Sequence, residues 1–169
     1  MLLTSIFSIS ILNSLISQYS YFGAFLVGLI TSSTIFLPLP GTVMISLMAG
    51  IEGLNPILLG IFAGLGSTIG ELTSYLIGRG VSVKDVEKLK GWKRKFFESV
   101  FKYFDKYGFF TVIIFAFQFI VPFDFIGIFA GFSKMKVSHF FLATLIGKIL
   151  KFYFFAYFGL ALFNLIPWI

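Results

Sequence analysis

The sequence predicts an all-α integral membrane protein: an inverted repeat of re-entrant helical hairpin plus transmembrane helix, with amphipathic interfacial helices. Three observations predict it. Mean hydropathy is +0.99, only 12% of residues are charged and Phe supplies 25 of 169 residues, so several runs can span or dip into a bilayer. Two of those runs are broken by proline at matching places in the two halves, at Pro38-Leu39-Pro40-Gly41 and at Pro122-Phe123-Asp124. Proline removes a backbone donor, and at membrane depth a broken helix survives only inside protein or beside a wet cavity. A matched pair of breaks is the best sequence pointer to the substrate site of a repeat-built transporter. The third observation is the placement of the lysines, taken up below with the second hairpin.

Residues 1–17 set Leu2, Leu3, Ile6, Ile9, Leu12, Leu15 and Ile16 at helical spacing, with Ser5, Ser8, Asn13, Ser14 and Ser17 between them. This reads as an interfacial N-terminal helix. No basic n-region or small-residue cleavage site precedes the apolar stretch, so it reads as mature structure. Residues 20–50 read as re-entrant hairpin 1, with Pro38, Pro40 and Gly41 at its tip and a polar patch from Thr31 to Thr34. Residues 56–78 form the clearest transmembrane helix. Pro56 suits a first turn, and Gly60/Gly64 and Gly66/Gly70 let another backbone approach closely.

Residues 82–106 form a basic amphipathic connector. From Arg79 to Lys106 there are nine Lys or Arg and four Asp or Glu, in a chain of net charge +6. Val86, Leu89, Trp92, Phe96, Phe97, Val100, Phe101 and Phe104 recur at three- and four-residue steps, which fits a helix lying on the membrane. Such a patch invites a nucleic-acid reading. In a chain this apolar the positive-inside rule accounts for it, and no nucleic-acid partner is expected.

The run from Gly108 to Val121 is too short for the roughly 20 residues a span needs. Residues 108–133 therefore read as re-entrant hairpin 2, turned at Pro122. Charge supports the choice. If this segment crossed, Lys134 and Lys136 would lie opposite the basic connector; if it dips and returns, they lie on the connector's side, as the rule prefers. Residues 138–160 form the second transmembrane helix, and Pro167-Trp168 ends the chain at an interface. A shift of 81 residues aligns Ala49-Gly50 with Ala130-Gly131, Gly66 with Gly147 and Gly78 with Gly159. The whole of 1–169 is one membrane domain.

Candidate functional residues are the ionisable groups at membrane depth: Glu71, Asp124, Lys148 and Lys151. Each costs roughly 2.5–3.5 kcal/mol at a helix centre on insertion scales. Glu71 can bridge to a lysine, and such a pair serves stability, function or both. Asp124 reads first as a helix N-cap at the hairpin tip, which leaves it a titratable group in a cavity. Thr42 holds the matching place after Gly41, and Gln118 adds a polar group in the second hairpin. Hairpin tips offer half-helix N-termini with positive dipole ends. With Lys148 and Lys151 they suit an anionic headgroup, while apolar walls admit its tails. Cys is absent and His139 stands alone, so no thiolate or His-cluster metal site is expected. No nucleophile–base set or phosphate loop is visible, and the chain is read as no enzyme, with no cofactor.

These stretches resemble the DedA/VTT (SNARE-associated Golgi protein) family over roughly residues 20–160. FLPLPGTVMISLMAG and the following GSTIGELTSYLIGRG look like the family's first hairpin and span, with Gly70, Glu71, Tyr75, Gly78 and Arg79 in the motif places. Tyr107-Gly108, Pro122, Ala130-Gly131, Phe140 and Gly147 match its second half. The resemblance implies paired inverted re-entrant hairpins and lipid translocation: recycling of a polyprenyl-phosphate carrier in prokaryotic members, phospholipid scrambling in eukaryotic ones, with proton coupling suggested for some. Many bacterial members place an acid after the first Pro-Gly, where this chain has Thr42. They also place arginines beside the second proline, where this chain has Gln118, Phe119 and Phe125. Carrier-phosphate binding by arginines is thus not carried over, and Lys148 and Lys151 are the cations available to replace them.

The expectation is a flippase or scramblase of an anionic lipid such as a polyprenyl phosphate or phospholipid. The expected site is a polar cavity between the hairpins, in the cell (plasma) membrane with the connector cytoplasmic. The alternatives are a proton- or ion-coupled transporter of a small solute and a non-transporting membrane scaffold. Expected partners are membrane lipids, with protons or ions as coupling species; a homo-oligomer is left open.

Overall fold

The computed structural model describes residues 20–33, 41–52, 54–80, 90–118 and 123–165. The expected N-terminal helix, Pro38, Pro40, Pro122, residues 82–89 of the connector and Pro167-Trp168 lie outside the described residues. Those described form six helices and no strand. They are α1 (Ser20–Ser33), α2 (Gly41–Glu52), α3 (Pro56–Gly80), α4 (Trp92–Phe117), α5 (Phe123–Phe132) and α6 (Val137–Leu165). Only α3 and α6 are both long and apolar enough to cross a membrane. At 1.5 Å per residue α1 is about 21 Å long, α2 about 18 Å and α5 about 15 Å, against a hydrocarbon core of about 30 Å.

Local chemistry sets the ends. Pro56 is the first residue of α3, where its missing N–H is no loss. Asn55 caps that helix by accepting the Ile57 N–H on Oδ1 at 2.9 Å, and its own N–H donates to the Tyr21 hydroxyl at 3.0 Å. Between α5 and α6 the Met135 N–H reaches the Ala130 carbonyl at 3.1 Å and the Lys134 N–H reaches Gly131 at 3.0 Å. These are the two bonds of a Schellman stop, and Lys134 sits at its left-handed position with φ 57°. A Cβ there costs about 1–2 kcal/mol.

α4 differs from the sequence reading. The connector from Trp92 onward and the first arm of hairpin 2 as far as Phe117, divided in sequence at Tyr107-Gly108, share one uninterrupted helix of 26 residues. Nothing from Trp92 to Phe117 breaks it: no proline intervenes, and Gly108 is carried through with Thr111 Oγ1 donating to the Tyr107 carbonyl at 3.0 Å.

The six helices assemble by backbone contact at glycines. α3 and α6 run antiparallel: Gly60 meets Tyr153, Gly64 meets Ile149, and Tyr75 stacks on Phe140 at 4.7 Å. α1 and α2 also run antiparallel, with Gly41 against Thr31 and Gly23 against Met48. α5 returns along α4 until Phe132 stacks on Phe101 at 4.9 Å. Four glycines then place the outer helices. Gly66 of α3 receives the backbone of α1 at Phe25 and Leu29, and Gly147 of α6 receives α4 at Ile113 and Phe117. Gly78 of α3 receives α5 at Ile128, and Gly159 of α6 receives α2 at Ser46. A Cβ at any of them would overlap a neighbouring backbone.

Two apolar cores result. One gathers Ala24, Ile45, Ala49, Leu59, Ala63, Phe152 and Ala156. The other gathers Tyr75, Phe104, Val112, Ala116, Phe123, Ala130, Phe140 and Ala143. Along α3 and α6 the first uses residues 59–63 and 152–156, and the second uses 75 and 140–143. The residues between them are buried and polar: Ser67, Thr68, Glu71, Ser74, Thr144 and Lys148. The outward surface is apolar, with Phe110, Ile114, Leu76 and Tyr157 well exposed; a contiguous surface of this kind suits lipid rather than water.

Candidate functional site

The polar layer centres on an ion pair. Lys148 Nζ donates to Glu71 Oε1 at 2.6 Å, with side chains 6% and 4% exposed. The two residues are 77 apart in sequence, and the antiparallel packing of α3 and α6 brings them within reach of each other. The ring of Phe123, first residue of α5, lies 4.8 Å below the same ammonium; a cation over an aromatic face is favourable, more so when desolvated. Lys151, one turn on, donates to the Gln118 carbonyl at 3.3 Å. Gln118 ends α4 in extended backbone, ψ 163°.

Both lysines therefore touch the end of the α4–α5 hairpin. The end of the α1–α2 hairpin arrives at the same height: Gly70 lies against the backbone of Ser32 and Ser33, and Ser32 Oγ is 2.5 Å from Ser67 Oγ, one turn before Glu71. Asp124 lies in the first turn of α5, inside the helix rather than at its cap, where a carboxylate faces the positive end of the dipole. Glu71 is within electrostatic reach of Lys148, Asp124 and Lys151, so two acids and two lysines gather in one layer of an apolar chain.

Two buried atoms at this layer have no hydrogen-bond partner among the described residues: Glu71 Oε2 and Thr144 Oγ1. A buried polar group left unsatisfied costs about 1–3 kcal/mol, so the layer retains capacity for a polar ligand. Thr144 and Ser67 were not among the sequence candidates. The signal was there, since each lies one helical turn from a buried ion, Lys148 and Glu71 respectively.

Other candidates serve the frame. Thr42 opens α2, and its carbonyl takes the Ser46 hydroxyl at 3.0 Å; that hydroxyl also lies 2.8 Å from the Phe155 carbonyl of α6. Gly70, Gly78, Gly131 and Gly147 are contact points between backbones. Tyr75 and Arg79 form a latch on the α5–α6 turn. The Tyr75 hydroxyl donates to the Met135 carbonyl at 2.5 Å, and Arg79 Nη1 donates to the same hydroxyl at 2.5 Å and lies 3.3 Å from that carbonyl.

Fold and site together define an all-helical membrane protein whose buried charges are gathered where two helical hairpins meet an antiparallel helix pair. The chain belongs to the VTT domain family, the domain of DedA and SNARE-associated Golgi proteins, whose family model matches residues 18–161. It is similar to two curated proteins of Lactococcus lactis, each called alkaline phosphatase-like protein. The one from subspecies lactis is 31% identical over 152 residues, covering 83% of this chain and 69% of the relative. The one from subspecies cremoris is 30% identical with the same coverage. No solved structure matches the chain.

Proposed function

We propose that this VTT-domain protein is a transporter that flips or scrambles an anionic lipid, such as a polyprenyl phosphate or a phospholipid, through the polar layer between its hairpins. The observation that carries the reading is the meeting of both hairpin ends at the Glu71–Lys148 pair, with Lys151 and Asp124 beside it.

In this reading α1–α2 and α4–α5 are re-entrant hairpins entering from opposite faces of a cell membrane, with the basic start of α4 cytoplasmic. Three features support it. The arms α1, α2 and α5 are too short to cross. The four glycine contacts are related by the same 81-residue shift: Gly66 and Gly147 each hold the leading arm of their own half, and Gly78 and Gly159 each hold the returning arm of the other. The turn bearing Lys134 and Lys136 comes back beside the basic part of α4, as the positive-inside rule prefers.

The chemistry follows from the charges. A lipid phosphate reaching the layer competes with Glu71 for Lys148, while Lys151 and the N-terminus of α5 add positive potential. In its absence Glu71 neutralises Lys148 and keeps the layer closed. The relatives' name speaks of phosphatase likeness; we favour transport because the buried charges lie where both hairpins meet the α3–α6 pair. A proton- or ion-coupled solute transporter is the second reading, favoured by the unpartnered Glu71 Oε2.

The test is transbilayer exchange in liposomes carrying labelled polyprenyl phosphate, phosphatidylglycerol or phosphatidylcholine. Accelerated exchange of an anionic lipid, abolished by Lys148→Gln, is expected. No acceleration for any lipid sinks the proposal, and proton-linked flux of a soluble solute that Glu71→Gln abolishes would install the second reading.

A further inference from the structure

A second polar feature lies outside the buried layer. Between α4 and the start of α6 is a cleft of about 350 Å³, lined among others by Asp105, Lys106, Phe109, Lys134, Lys136 and His139. Lys136 precedes Lys148 by 12 positions on one continuous strand of chain, which along α6 is about 18 Å, so the cleft is separate from the ion pair.

We infer that this cleft binds the phosphate of an anionic phospholipid headgroup, with Lys134 and Lys136 as its cationic ligands. The first support is the backbone. Lys134 occupies the left-handed position of a helix stop, a place usually taken by glycine. Among the described residues it is the only one other than glycine with positive φ. Glycine would relax the turn and keep both of its hydrogen bonds, so the structure tolerates strain to hold a lysine side chain over the cleft. A lysine serving only to orient the chain in the membrane needs neither a cleft nor strain.

The second support is the assembly of charge. Three lysines, Lys106, Lys134 and Lys136, line the cleft together with one carboxylate, Asp105, and the imidazole of His139. The first N–H groups of the long helix α6 open at the same end without intrahelical partners. The third is the floor. Phe109 meets His139 edge-on at 6.3 Å, Phe104 is buried beneath, and Phe110 projects outward from α4 with 67% exposure. Cations at one end and aromatic rings leading to an apolar surface match a headgroup with acyl chains, rather than a fully hydrated anion. The inference goes beyond transport, since binding at this site does not require a lipid to cross.

The test is ligand binding to the full chain in phosphatidylcholine nanodiscs, by calorimetric titration with dihexanoyl phosphatidic acid, dihexanoyl phosphatidylcholine and inorganic phosphate. Phosphatidic acid should bind more tightly than the other two. Lys134→Gly should weaken it about fivefold and Lys134→Gly with Lys136→Gln about thirtyfold. Lys134→Gly relaxes the turn, so its melting temperature should hold or rise while affinity falls, which separates ligand loss from misfolding. Equal affinity in wild type and Lys134→Gly overturns the inference, as does free phosphate binding as tightly as the lipid. Exchange of lipid across the bilayer is not read, so failure of the transport proposal leaves this result intact.

Discussion

Breaking the Glu71–Lys148 pair from one side should be far more damaging than removing both partners. The pair is joined at 2.6 Å, and its side chains are 4% and 6% exposed. Removing one member of a buried pair leaves an uncompensated charge and costs about 3–5 kcal/mol, whereas replacing both by apolar residues of similar volume is often close to neutral. Glu71→Leu removes the carboxylate that Lys148 is bonded to and leaves its ammonium over the Phe123 ring. Lys148→Met strands Glu71, whose Oε2 already lacks a partner. For a chain of this size each single change should lower the melting temperature by roughly 6–20 °C. The double variant should recover most of that, so the double-mutant cycle should give a coupling of about 6–10 kcal/mol, the sum of the two single costs when the double is near neutral. Melting of purified protein in detergent gives the three values, and liposome exchange on the same samples gives activity. A double variant that is stable and inactive assigns the pair to transport. Additive single and double effects would refute the reasoning, because the two side chains would then act independently.

Three further outcomes are expected. Gly147→Val should abolish monodisperse protein in size-exclusion chromatography, since a side chain there meets the Ile113 carbonyl and Ala116; Gly80→Ala, with nothing within 4 Å, should elute as wild type. Tyr75→Phe removes the hydroxyl between Arg79 and Met135 and should cost about 1 kcal/mol, read as faster hydrogen exchange in residues 133–137; unchanged exchange there would contradict the latch. Asn55→Ala should cost about 1 kcal/mol through loss of the α3 cap, visible as a melting shift of a few degrees, whereas Asn55→Asp should stay near wild type.

Much of this architecture was legible before any coordinates. The arms α1, α2 and α5 are short in sequence and short in space, because their length follows directly from the count of apolar residues. A Glu71–lysine bridge was foreseen on energetic grounds, since an isolated ion at that depth is too costly. Which lysine takes it depended on the rotation of α6, and periodicity in so uniformly apolar a helix does not report rotation. The continuity of α4 escaped the reading because the change from amphipathic to apolar at Tyr107-Gly108 marks a change of surroundings, not of backbone. The stop near residue 133 is legible from the lysines that follow it, but its form is not: no glycine stands at the left-handed position, and Lys134 conforms to it through bonds made by the backbone. The unpartnered Thr144 hydroxyl required the packed layer itself.

The crossed glycine contacts also bear on how the chain is made. α2 packs on α6 far more than on α3, and the Ser46 hydroxyl meets a carbonyl 109 residues further along. During synthesis α1 can settle on α3 at once, but α2 has no proper seat until the final helix is in the membrane. The first half thus waits, one arm docked and the other facing lipid with its polar groups unmatched. Completion of the fold is one late event that seats arms of both halves together. A ribosome stalled before residue 159 would release a half-docked hairpin, a natural substrate for membrane quality control.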